Sequence, residues 1–143
     1  MDDVDIHIRS VKQTDMTDVI ELLQSVSKFE PSKKDYISIW EKFCKQANVH
    51  SLVATIDGKI VGYGSVVIEL TIRGGKLGYV TDIVSHNDFR SKGIGKIIVD
   101  SLYNVAREND CYKVVLQCNE PHVGFYKQCN YHISGISMRR FVE

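Results

Sequence analysis

The stretch FRSKGIGKIIVDSLYNVA, residues 89–106, decides how this chain is read. Arg90, Ser91, Lys92, Gly93, Ile94, Gly95 and Lys96 run directly into apolar residues at helical spacing. Helices usually open on Asp, Ser or Thr. Opening on glycines and cations leaves two readings, a loose surface turn or a cradle for a phosphate-bearing ligand. Helix N-termini leave unpaired N–H groups whose aligned dipoles favour negative charge. Glycine there lets the backbone approach a phosphate closely. The spacing fits neither the dinucleotide fingerprint nor the mononucleotide P-loop.

Composition narrows what such a cradle could serve. The 143 residues fit one domain, large enough for a proper core. Lys plus Arg and Asp plus Glu both number 18, so the formal net charge is zero, whereas a nucleic-acid binder usually carries a basic excess. No apolar run approaches the ~20 residues of a membrane span. The first residues, MDDVDIHIRS, are acidic where a secretion signal is basic and then apolar. An intracellular protein is expected, most simply cytoplasmic, with an organelle address left open. Cys44, Cys111, Cys118 and Cys129 show no C-x-x-C pairing, so no metal is expected, and the thiols are expected reduced and partly buried.

Patterning gives the element order β-α-α-β-β-β-α-β-α-β. DVDIHIRSV alternates, with Val4, Ile6 and Ile8 on one face. Met16, Val19, Ile20 and Leu23 then fall at helical spacing. Ser32 with Asp35 forms a capping signature, and Tyr36, Ile37, Trp40, Phe43, Cys44 and Ala47 give a second amphipathic helix expected to pack into the core. SLVATIDGKIVGYGSVVIEL reads as a hairpin about Asp57 and Gly58, which supply positive φ angles. Gly74 and Gly75 turn the chain into LGYVTDIVS. After the helix of residues 93–109, the near-continuous apolar run YKVVLQC predicts a strand buried on both faces. A short helix over residues 121–129 starts at Pro121, and YHISGISMRRF is expected to close as a last strand. The sum is an α/β (α+β) single domain over residues 1–143, a mixed sheet with helices on its faces.

The strand YVTDIVS, the glycine-opened helix and the later YKVVLQCNEPHVGFYKQCNY, in that order, resemble the GNAT superfamily of N-acetyltransferases. In that superfamily a Gln/Arg-x-x-Gly-x-Gly/Ala loop holds the pyrophosphate of acetyl-CoA. A later N-x-x-x-x-FY-x-x-x-G-F/Y segment borders its acyl and pantetheine end. Within the superfamily, CYKVVLQC, VGFYKQCNY and MRRF are most similar to the eukaryotic glucosamine 6-phosphate N-acetyltransferase family. The resemblance is close over residues 80–141 and rests on element order before them.

That resemblance implies a GNAT fold with a mixed, mostly antiparallel central sheet flanked by helices. It implies acetyl-CoA as co-substrate, an amino sugar phosphate as acceptor, and a step toward UDP-N-acetylglucosamine. It also implies a homodimer whose sugar site borrows residues across the interface. Arg90, Ser91, Lys92, Gly93, Ile94, Gly95 and Lys96 would take the pyrophosphate, and the backbone of Asp82, Ile83 and Val84 the pantetheine. Tyr126 would sit beside the thioester sulphur, with His122 at the same end. Ser27, Tyr112, Lys113 and Arg140 would meet the sugar phosphate, and Thr81, Asp82 and Gln117 the rest of the acceptor. Tyr126 and Asp82 are the expected catalytic residues. Four positions depart from the family: Thr81 replaces a glutamate, Gln117 an acidic residue, His122 an asparagine and Asn130 a glycine.

Direct attack by an amine in a ternary complex needs no covalent enzyme intermediate, which suits a chain without a convincing Cys–His pair. A tyrosine with an ordinary pKa of ~10 donates a hydrogen bond to a thiolate more readily than it surrenders a proton, since a cysteine-like thiol lies near ~8.5. Alternatives stay open at single positions. Tyr126 also fits as core packing, His122 as a base or as a helix-end residue, and Asp82 as a base or as a backbone-orienting group. Lys113 fits as a phosphate ligand or as a snorkelling lysine. Of Arg139 and Arg140, neighbours on a strand, only one can face a site. Two rival functions keep the fold. One swaps the acceptor for a polyamine, arylalkylamine or protein amine, and the other is an acyl-CoA-binding module without chemistry.

Overall fold

A computed structural model describes residues 5–143, apart from the side chains of Arg90 and Ser91. Val4 therefore lies outside the described residues. In chain order the elements are β1 (Ile6–Ser10), α1 (Met16–Leu23), α2 (Tyr36–Cys44), β2 (Val49–Ile56), β3 (Lys59–Leu70), β4 (Lys76–Ser85), α3 (Ile94–Glu108), β5 (Cys111–Leu116) and α4 (Val123–Gln128). The sheet order is β1-β2-β3-β4-β5, antiparallel as far as β4, with β4 and β5 parallel. A parallel pair needs a crossover, and α3 is that crossover.

Local chemistry explains the sharp corners. Asp57 (φ 51°) and Gly58 (φ 79°) both take positive φ, as a two-residue hairpin turn with the right twist demands. Helix α3 carries Ile94, Ile98, Leu102 and Ala106, each 0% exposed, at four-residue spacing. They pack on Ala54, Val61, Val66 and Val80 across one face of the sheet. Burial of each large side chain contributes about 1.5–3 kcal/mol. The close approach depends on Gly64, where a Cβ would come within 2.6 Å of Ile83 and 2.8 Å of Ile98. The opposite face holds a smaller cluster of Val19 from α1 with Val53, Ile60, Tyr63 and Val84. Arg9 fixes α1 to β1 through a two-pronged pair with Asp15, at 2.7 and 2.9 Å. Asp15 also accepts the Lys12 N–H at 2.7 Å.

Five expectations are corrected. Helix α2 forms, but none of its residues is buried, and Ile37 is 59% exposed. Its apolar stripe faces a groove shared with α1, where Ile39 lines the same space as Met16, Ile20 and Leu23, and Ser32 makes no side-chain cap bond. Strand β5 packs Val114 and Leu116 on the α3 core but leaves Tyr112 and Lys113 exposed, so its apolar run is not buried on both faces. YHISGISMRRF forms no strand in the single chain; Ile136 and Met138 stand more than nine-tenths exposed. Alternation supplies strand propensity, yet a strand forms only where an edge pairs with it. Cys44, finally, is exposed at the end of α2, while Cys111 and Cys118 are half-buried and Cys129 is buried.

Candidate active site

The site begins where two strands part. Pairing of β4 with β5 ends at Val80 and Leu116, while β4 remains paired with β3 as far as Ser85. Beyond Val80, the backbone groups of β4 on the β5 side have lost their ladder. At the same point β4 bulges, because Ser65 pairs with Thr81 but Tyr63 pairs with Val84. The extra residue is accommodated at Asp82, whose φ of 57° is left-handed. Bulges of this kind re-aim a side chain and stop pairing. Asp82 is exposed as a residue, yet neighbouring atoms desolvate its carboxyl and raise its pKa above the ordinary carboxylate value.

Facing this gap is the mouth of α3. Gly93 (φ 75°) forms its left-handed cap, and a Cβ added there would meet nothing within 4 Å. Ile97 N–H donates to Gly93 O at 3.2 Å, and the amides of Ile94, Gly95 and Lys96 lie in the helix's first turn ahead of that bond. Ile94 offers only its amide, since its side chain is fully buried in the core. Lys96 reaches away along the helix to Asp100, 2.6 Å distant, instead of toward the cradle. Lys92 is exposed just before the cap.

Helix α4 closes the other side. Phe125 lies against Gly95 and packs edge-on to Tyr126, with ring centres 4.9 Å apart. Tyr126 in turn meets Tyr131 at 6.1 Å, and Tyr131 N–H donates to Tyr126 O at 3.0 Å. Burial pushes the Tyr126 phenol up and that of Tyr131 up to about 12, so both are held as donors. The Tyr131 hydroxyl is buried with no hydrogen-bond partner among the described residues. His122, exposed at the entrance of α4, makes no side-chain cap bond.

On the sheet face away from α3, Ser51, Ser65 and Thr81 form a cross-strand row. Ser51 and Ser65 are buried and hydrogen-bonded to each other, and the Tyr63 hydroxyl lies 3.1 Å from both. Thr81 and Gln117 are the first residues after the last β4–β5 pair, and both are exposed. Lys113 holds its ammonium 5.4 Å from the centre of the Tyr112 ring, at the far end of β5 from the gap. Ser27 sits exposed in the turn that ends α1, its hydroxyl accepting from Phe29 N–H at 3.5 Å. Arg140 is exposed in the segment beyond α4, next to Arg139, which stacks on Phe141.

A parting of β4 and β5 between a glycine-opened helix and a half-buried tyrosine matches more than a generic mixed sheet. The model of the acetyltransferase (GNAT) family matches residues 16–131. The chain belongs to this family. Among its relatives, glucosamine 6-phosphate N-acetyltransferase of Candida albicans is 32% identical over 138 residues, covering 91% of each chain. Glucosamine 6-phosphate N-acetyltransferase 1 of Dictyostelium discoideum is 32% identical over 82% of this chain and 78% of its own. The crystal structure of glucosamine-6-phosphate N-acetyltransferase from Arabidopsis thaliana superposes with a TM-score of 0.90 at 27% identity, covering 97% of this chain and 99% of that one.

The GNAT chain explains one departure directly. Asn130 has φ 68°, a left-handed conformation that asparagine tolerates better than most side chains, so the missing glycine costs little. Phe125 precedes Tyr126 directly and Tyr131 follows it by five residues, so the sequence places three aromatic rings close together without assigning a role to the outer two. The signal was the aromatic cluster itself. What sequence does not carry is that Phe125 spans from Tyr126 to Gly95.

Proposed function

We propose that this chain transfers the acetyl group of acetyl-CoA to the amine of glucosamine 6-phosphate, giving N-acetylglucosamine 6-phosphate and CoA. The observation that carries the reading is the gap after Val80, where β4 loses β5 at its bulge beside the mouth of α3. The residues there suit acetyl-CoA. Amides of α3 with the loop of Arg90, Ser91 and Lys92 suit the pyrophosphate, and the unladdered backbone of Asp82, Ile83 and Val84 suits the pantetheine. Acetyl-CoA supplies the acetyl group as a thioester, an electrophile with a good leaving group.

Each residue then has a task in direct transfer. Asp82 takes the proton released as the amine bonds to the carbonyl carbon; its burial makes it a stronger base than an exposed aspartate. Thr81 and Gln117 carry no charge, which leaves Asp82 as the carboxylate of the site and gives them hydrogen bonds to the acceptor instead. Backbone N–H groups of β4 stabilise negative charge growing on the carbonyl oxygen. Tyr126 donates its O–H to the sulphur as the carbon–sulphur bond breaks, and burial keeps that proton on the phenol. Lys113 and Arg140, with Ser27 and Tyr112, receive the phosphate. His122 is left at the entrance as a residue of the helix end.

The acceptor site is completed by a homodimer. Support comes from residues 131–141, which pattern as a strand but pair with none among the described residues, and from the exposed Ile136, Met138, Phe141 and Val142. Seated on a second copy, they would bury this surface and carry Arg140 to the partner's acceptor. Sedimentation of the full chain should give twice the monomer mass. Mixed with acetyl-CoA and glucosamine 6-phosphate, the chain should release one CoA thiol per N-acetyl group formed. Thiol release without N-acetylated sugar would contradict the reading.

A further inference from the structure

The face that carries Thr81 holds residues that the roles above leave unused. Gly78 and Val80 lie on the α3 side of β4, against Ala106 and the main core. Alternation therefore puts Leu77, Tyr79 and Thr81 on the opposite face. On β5, Val114 and Leu116 pack with the α3 core, which leaves Lys113 and Val115 on the same face as Tyr79. The register sets Leu77 beside Lys113 and Tyr79 beside Val115. On its other flank Tyr79 pairs with Val67 of β3, and Glu69 lies two residues further along that face. Glu69 is thus the diagonal neighbour of Tyr79 on one sheet face, and its negative charge pushes the Tyr79 phenol up. Tyr79 is nevertheless 37% exposed on an open sheet.

We propose that Tyr79 determines acceptor specificity: its ring is the platform for the pyranose ring, and Glu69 accepts a sugar hydroxyl beside it. This rests on the function proposed above. The strand supplies the spacing. Tyr79 stands about 6.6 Å along β4 from Thr81 at the amine end, and the row of Lys113 lies about 6.6 Å further on. A hexose phosphate laid along this line puts its amine at the gap, its ring over Tyr79 and its phosphate at Lys113. The C–H face of a sugar carries slight positive charge and suits the negative face of an aromatic ring. Its hydroxyls suit an ionised carboxylate, which only accepts.

Steady-state kinetics of Tyr79→Ala, Tyr79→Leu, Tyr79→Phe and Glu69→Gln test this. Tyr79→Ala should raise KM for glucosamine 6-phosphate about tenfold, the scale of one aromatic contact, with KM for acetyl-CoA and the melting temperature unchanged. Tyr79→Leu keeps apolar volume without the aromatic face and should behave alike, which covers the case of an unstable alanine variant. Tyr79→Phe should restore most of the affinity, and Glu69→Gln should fall between. A sugar KM that stays within twofold of the parent in both the alanine and leucine variants overturns the assignment while the acetyltransferase reading stands. A rise shared equally by KM for acetyl-CoA also overturns it, because the role would then be structural. A parent chain inactive on glucosamine 6-phosphate overturns both.

Discussion

The ring of Phe125 occupies the space that a side chain on Gly95 would need: an added Cβ would lie 3.2 Å from its Cζ. Because Phe125 also packs on Tyr126, the mouth of α3 and the proposed sulphur-side tyrosine form one contact unit. Gly95→Val should therefore abolish the stabilisation by acetyl-CoA, which at ~100 times its dissociation constant amounts to about 2.7 kcal/mol for the parent. Gly95→Ala asks Phe125 to give only a few tenths of an ångström and should keep part of the shift. Thermal unfolding with and without acetyl-CoA measures both. A parent-sized shift in the valine variant would show that the cradle lies elsewhere.

Tyr126→Phe removes one hydroxyl and leaves the packing against Phe125 and Tyr131. A hydrogen bond that strengthens only as the thiolate forms acts on the transition state. Turnover should drop about tenfold to a hundredfold, while the dissociation constant for acetyl-CoA stays within about twofold. An unchanged kcat would reduce Tyr126 to a packing residue.

Asp82→Asn tests the base and carries a stability signature of its own. Burial raises the folded pKa of this carboxyl above its ordinary value of 3.8, so the folded state holds the proton more tightly than the unfolded chain does. Stability from this group is thus full below the ordinary value and is lost as pH rises through the raised one. The asparagine variant, which tolerates the left-handed φ, should melt higher than the parent near neutral pH and lose that gain in acid. Its rate should fall, and the acid limb of the parent's pH–rate profile should vanish. An intact acid limb in the variant would assign the proton to another group.

The Arg9–Asp15 pair predicts the opposite pH behaviour. The Arg9 hydrogen bonds hold the Asp15 carboxyl below its ordinary range, so their contribution is present above that range and lost as pH falls through the lowered value. Arg9→Met strands a buried carboxylate and should cost about 2–3 kcal/mol at neutral pH, toward the low end for such pairs because Arg9 is about one-third exposed. The cost should shrink in acid. A pH-independent loss would mean that Arg9 acts through packing alone.

Which features were legible in the sequence follows from their range. The Asp57–Gly58 turn and the buried stripe of α3 depend on local φ preference and periodicity, and both stand where the sequence put them. The bulge at Asp82 and the gap after Val80 depend on how three strands register together, which no window of residues reports. Helix α2 has the same apolar pattern as a core helix, and patterning does not say whether anything covers it. The C-terminal segment fails as a strand for the same reason, since pairing is a property of two segments. The Lys96–Asp100 pair is legible as a four-residue helical spacing, whereas the direction in which the Lys96 side chain reaches is not.

Thiol release measured side by side on glucosamine 6-phosphate, glucosamine and spermidine tests the central claim most directly, with Lys113→Ala and Arg140→Ala beside the parent. The two sugars present the same amine, so a difference between them reports phosphate recognition. Hydrogen bonds to charged groups contribute ~1.5–3 kcal/mol, so each variant should lose roughly tenfold to a hundredfold in kcat/KM on the phosphorylated sugar and little on glucosamine. The parent should strongly prefer glucosamine 6-phosphate and leave spermidine nearly untouched. Equal rates on the two sugars, or a preference for spermidine, would contradict the sugar-phosphate assignment and leave the acetyltransferase fold alone standing.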